Sequence, residues 1–153
     1  MDNIYYAKHS TFINVYGLKN TNAYIEYALS FKETFQTGLF TVCTHPDLIF
    51  INLLPWDENC QKACEIIVKA AKKYNIIIEF NANEVHRRKE MYEDGLRSPY
   101  PHLAFWENAA KYQVPSIINS YYREPKPLYD EAMNKTSQLA NQWHVNIIET
   151  LDL

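Results

Sequence analysis

His45-Pro46-Asp47 is the first place in this chain where residue types and spacing suggest chemistry. An imidazole and a carboxylate two positions apart can act as two ligands of one metal ion, or as an acid/base pair. They follow Leu39–Cys43, which reads as a buried strand after a helix stop at Gly38. Other apolar runs end in residues of similar promise. His9 follows Ile4–Ala7, Glu79 and Asn81 close the run Ile76–Phe80, and Ser120 to Arg123 follow Val114–Asn119. Ligands of α/β proteins bind at the carboxyl ends of parallel strands. If these strands are parallel, His9, His45, Asp47, Glu79, Asn81 and Arg123 are expected to converge on one edge.

The elements that must position them alternate. Asn22 can cap a helix with Tyr24, Tyr27, Ala28, Phe31 and Phe35 at helical spacing. Asp57 opens a second helix, whose stripe is Cys60, Ala63, Cys64, Ile67, Val68 and Ala71. Its acidic first turn and basic last turn suit the helix dipole. A polar segment with His86-Arg87-Arg88-Lys89 reads as a short helix. That run is a solvated face or, alternatively, offers a phosphate contact from Arg87. Pro99 and Pro101 interrupt it. Leu103–Tyr112 and a segment opened by Pro127 are further helices, and Val145–Glu149 a last strand. Continuous apolar strands between helices predict a parallel sheet with helices on its faces, and Phe12–Asn22 is expected to be loop.

The chain has 153 residues, enough for a single domain with a sizeable core, here residues 1–153. A net charge of −3 gives no basic field, so nucleic acid is not an expected partner. No apolar run approaches the roughly 20 residues of a membrane span, and Met-Asp-Asn-Ile-Tyr lacks the flank and core of a signal peptide. Three cysteines, Cys43, Cys60 and Cys64, sit in apolar patterns, which predicts buried reduced thiols and a cytoplasmic setting. Three glycines are too few for a phosphate-cradling Gly-rich loop.

Thr44-His45-Pro46-Asp47-Leu48 resembles the Gly-His-x-Asp-Leu corner of PHP-domain phosphoesterases, in particular the histidinol-phosphatase branch. Ile78-Glu79-Phe80-Asn81 is similar to that branch's Glu-Ile-Asn strand end, and Tyr6-Ala7-Lys8-His9 to a strand ending in a metal-binding His. Tyr100-Pro101 with Phe105-Trp106 fits the next segment. Val114–Ser120, running to Pro125, lies where the family has a strand ending in Gly-Ser-Asp-Ala-His-x-Pro. The resemblance implies a partial, irregular (β/α) barrel with a mainly parallel sheet flanked by helices, equivalent to the later part of such a domain. It implies zinc, manganese or iron held at the strand ends, with His9 and His45 as ligands. Asp47 and Glu79 would be the catalytic carboxylates, and Asn81, Arg87 and Arg123 would contact a phosphorylated small molecule.

Three departures from that pattern bear on activity. The opening His-x-His strand and the next His and Glu ligands have no counterpart, Tyr121 replaces an Asp ligand, and Arg123 replaces the final His ligand. A guanidinium cannot coordinate metal but suits bidentate phosphate recognition. Two functions are therefore expected as alternatives. One is a phosphomonoesterase completed by ligands from another chain; the other is a non-catalytic remnant that binds, with phosphate at Arg123. A half barrel leaves sheet edges open, so a homodimer or a complex with a chain supplying strands is expected.

Overall fold

The computed structural model describes residues 4–6, 12–52, 54–82, 89–93, 95–119 and 131–150. Its centre is a three-stranded parallel sheet. β3 (Val42–Cys43) pairs with β4 (Ile77–Asn81), and β4 with β7 (Ser116–Asn119). A parallel bridge from Ser116 to Ile147 continues the sheet beyond β7. Among the described residues four helices accompany it: α1 (Asn22–Gln36), α2 (Glu58–Lys73), α3 (Leu103–Lys111) and α4 (Glu131–Gln142). Two antiparallel hairpins among the described residues lie outside this sheet. β1 (Ile4–Tyr6) pairs with β2 (Phe12–Asn14), and β5 (Glu90–Tyr92) with β6 (Gly95–Arg97). The α/β class is as expected; no closed barrel forms among the described residues.

Both early helices bury the stripes their periodicity predicts. Tyr24, Tyr27, Ala28, Phe31 and Phe35 are buried on α1, and Cys60, Ala63, Cys64, Ile67, Val68 and Ala71 on α2. The two stripes pack against each other because each is apolar over a continuous face. Asp57 caps α2, its carboxylate accepting from the N–H groups of Asn59 and Cys60. Phe80 of β4 has its ring 4.5 Å from Trp106 of α3 and 5.7 Å from Trp143 just after α4. One sheet face is thereby covered, and alternation sends Glu79 and Asn81 to the other.

Three helix-to-strand connections use one device in place of glycine. Asn75, Gln113 and His144 follow α2, α3 and α4 with φ of 55°, 51° and 55°. The next N–H then reaches back five residues: Ile76 to Ala71, Val114 to Ala109 and Val145 to Ala140. This pattern closes the orphan carbonyls at each helix end and drops an apolar residue into the core. A chain with three glycines can thus stop three helices.

Several sequence expectations need correction. The strand expected over Leu39–Cys43 is only Val42–Cys43. Leu39 and Phe40 are 81% and 51% exposed, because β4 begins pairing at Val42. Ile4–Tyr6 is a strand, but its antiparallel partner is Phe12–Asn14, read as loop, so β1 belongs to a separate hairpin. Leu48–Ile51 forms a 3-10 turn. The β5–β6 hairpin was not expected, and the last strand shrinks to one bridge at Ile147. His102 stands at a helix end, as the buried N-cap of α3.

Candidate functional site

The carboxyl ends of β3, β4 and β7 lie side by side, so the expected convergence holds for the residues they carry. Asn81 and Asn119 are register partners at the ends of β4 and β7, and His45 follows β3 by two residues. Glu79, one pleat before Asn81, joins the three strands. Its Oε2 accepts from the backbone N–H of His45 at 2.9 Å, and its Oε1 from Asn119 Nδ2 at 3.0 Å. Glu79 is 2% exposed, so these bonds stand in for the water it has lost.

His45 takes φ +31°, outside the range ordinary for an L-residue. Its ring centroid is 6.2 Å from that of Tyr100. Its Nδ1 is shielded from solvent and meets no hydrogen-bond partner among the described residues. Burial lowers the imidazole pKa below its usual value, with the negative charge of Glu79 opposing part of that effect.

Asp47 faces away from this edge, into the core. It is 1% exposed, and one oxygen, Oδ2, accepts two bonds: from the N–H of His102 at 2.8 Å and from Trp106 Nε1 at 2.9 Å. His102 is the N-cap of α3 and Trp106 lies in its first turns, so Asp47 ties the β3 corner to α3. Around this clamp His102 stacks on Trp56 at 4.5 Å, and Phe50 lies 4.9 Å from His102. Burial pushes the Asp47 carboxyl up to about 6, against the two bonds that favour its ionised form. The Tyr27 hydroxyl donates to the Pro46 carbonyl at 3.1 Å, fixing the same corner from α1.

The expected site residues thus divide. His45, Glu79, Asn81 and Asn119 meet at one edge, while Asp47 is a structural acceptor behind it. His9, Arg87 and Arg123, with Tyr121, lie outside the described residues. β1, the strand that would carry His9, is not hydrogen-bonded to the parallel sheet. Among the described residues, no three His, Cys, Asp or Glu side chains come together as a metal site. The donor chemistry explains this, since each Glu79 oxygen is already engaged and the bonded oxygen of Asp47 faces α3. These residues do not fit a multinuclear metal centre. The sequence did not suggest Asn119 as a site residue; a polar residue ending a buried strand beside Asn81 was the available signal.

A small cleft is lined by Tyr24, Phe50, Trp56, Cys60, Glu93 and Arg97, with a volume of about 10 Å³. That is roughly one water molecule, too little for a substrate. No described helix is long and apolar enough to cross a membrane. Comparisons with known protein families, with curated proteins and with solved structures find no match.

Proposed function

We propose that this chain is a non-catalytic binding module on a PHP-like scaffold, with the carboxyl edge of its parallel sheet as the binding surface. One observation carries the reading: both carboxylates that would perform hydrolysis are engaged in holding the fold. Glu79 fastens His45 to Asn119, and Asp47 fastens the β3 corner to α3. A general base or metal-bridging carboxylate needs an oxygen within reach of its proton or metal, whereas both Glu79 oxygens are taken and Asp47 is 1% exposed. What this edge carries is a half-buried imidazole, whose Nδ1 meets no partner among the described residues, beside the amide side chains of Asn81 and Asn119. Arg123, which follows β7 in sequence, adds a phosphate contact in this reading, so the ligand class is a phosphorylated small molecule or phosphate itself.

The test is titration of isotope-labelled protein with inorganic phosphate and with a phosphomonoester, followed by amide chemical shifts. The reading expects saturable shifts at His45, Asn81 and Asn119, abolished by Arg123→Ala. Absence of shifts at these residues up to millimolar ligand refutes it.

A second reading is a metal-dependent phosphomonoesterase whose missing ligands come from another chain. His45 Nδ1 favours it, since an imidazole nitrogen that meets no partner among the described residues can take a ligand supplied from elsewhere. Both readings include pairing with a second copy or another chain. The half-buried residues Val42, Ile77 and Ile117 on the sheet face opposite Phe80 support that pairing. A strictly monomeric species in light scattering at millimolar concentration refutes the pairing. Three cysteines that are buried and unpaired support a cytoplasmic setting.

A further inference from the structure

We infer that Glu79 is a positioning residue, which holds His45 in a left-handed backbone conformation so that the imidazole faces whatever ligand this edge binds. The inference rests on the binding reading above, but its structural half can be tested without any ligand.

Among the described residues, four other than glycine have positive φ. Three of them, Asn75, Gln113 and His144, terminate helices, and the backbone bonds made there require that conformation. His45 ends no helix. It follows a strand and opens a turn in which the Leu48 N–H donates to its carbonyl, a bond that does not require positive φ at the first turn residue. The chain does use glycine where positive φ is needed elsewhere, at Gly17, Gly38 and Gly95, with φ of 73°, 69° and 116°. A side chain is nevertheless kept at position 45.

What holds it is identifiable. Glu79 lies on the central strand, is almost wholly buried, and directs Oε2 at the His45 N–H. Its second oxygen is pinned by Asn119 on the neighbouring strand, so the carboxylate cannot swing away. A buried charge-assisted bond of this kind is strong enough to hold a strained residue. Strain retained at a strand end of this edge, together with an imidazole Nδ1 that meets no partner among the described residues, points to a side chain kept for recognition rather than stability.

The experiment compares His45→Gly, Glu79→Ala, the double variant and Glu79→Gln by thermal unfolding of the unliganded protein. His45→Gly is expected to raise Tm by about 2–4 °C, since glycine takes φ +31° freely. Glu79→Ala is expected to lower Tm, and to lower it less in the His45→Gly background, where there is less strain to hold. Glu79→Gln is expected to restore the left-handed Cα chemical shift of His45, because the Asn119 amide can reverse to accept from the new amide. Strict additivity of the two substitutions, or a fall in Tm for His45→Gly, overturns the positioning role. In phosphate titration His45→Gly should weaken binding by about tenfold or more. Unchanged affinity, with strain and coupling confirmed, overturns the recognition role of the imidazole alone.

Discussion

Replacing Asp47 should affect this fold in opposite directions depending on what takes its place. One of its oxygens accepts from both the His102 N–H and Trp106 Nε1, in a position 1% exposed. Burial raises the folded pKa from 3.8 to about 6. An acid whose folded pKa is raised binds more protons when folded, so stability falls as pH rises from about 4 through about 6. At roughly 1.4 kcal/mol per pKa unit, ionised Asp47 destabilises the fold at neutral pH by about 3 kcal/mol relative to its protonated form. Asn keeps a carbonyl oxygen for both donors and removes the ionisation, so Asp47→Asn should be at least as stable as the parent at pH 7. Ala leaves two buried N–H groups without an acceptor, at about 1–3 kcal/mol each. The Ala variant should therefore be about 2–6 kcal/mol less stable than the Asn variant at every pH. Urea unfolding at pH 4, 5, 6 and 7 measures all three proteins. The parent should lose stability relative to Asp47→Asn across that range, and the two variants should run parallel. An Asn variant as damaged as the Ala variant, or a parent-to-Asn difference independent of pH, refutes the clamp.

Trp106→Phe keeps the ring in the core and deletes one donor to Asp47. It should cost about 1–3 kcal/mol at pH 7 and less at pH 4, where the carboxyl is protonated, as urea titration would show. Cys43 and Cys64 are buried, and burial raises both thiols well above their usual pKa. Neither should react with a chromogenic disulfide reagent at pH 8 until the protein unfolds, and prompt native-state reaction would contradict their placement. Gln113→Gly at the end of α3, where φ is 51°, should leave stability unchanged or raise Tm by up to about 4 °C. A fall in Tm would count against the helix-stop account.

The sequence carried the helices that hold the site better than the site itself. The stripes of α1 and α2 were legible because apolar residues recur at three and four, and Asp57 is a cap by residue type. The strand Ile77–Asn81 was legible as a continuous apolar run between helices, and Glu79 inside it had to find donors. The β5–β6 hairpin was hidden by Glu90, Glu93 and Arg97, which break alternation, although Asp94-Gly95 was a hairpin signal in plain sight. The short pairing of β1 with β2 has too few residues to show any period. Asp47 was read as a site residue because it follows His45 by two. The sign that it served the core was remote: the indole N–H of Trp106, on an apolar helix, required an acceptor somewhere. Left-handed residues other than glycine, such as His45 and Gln113, leave no mark in composition, because backbone bonds formed only in the fold select them.

The most direct measurement of the central claim is metal content of protein purified without chelator, paired with a phosphatase assay supplemented with zinc, manganese or iron. A scaffold whose strand-end carboxylates are engaged in the fold should carry well under one equivalent of metal and show no turnover above the metal alone. Stoichiometric metal, with phosphomonoester hydrolysis abolished by His45→Ala, would contradict the account and establish a working catalytic centre at this edge.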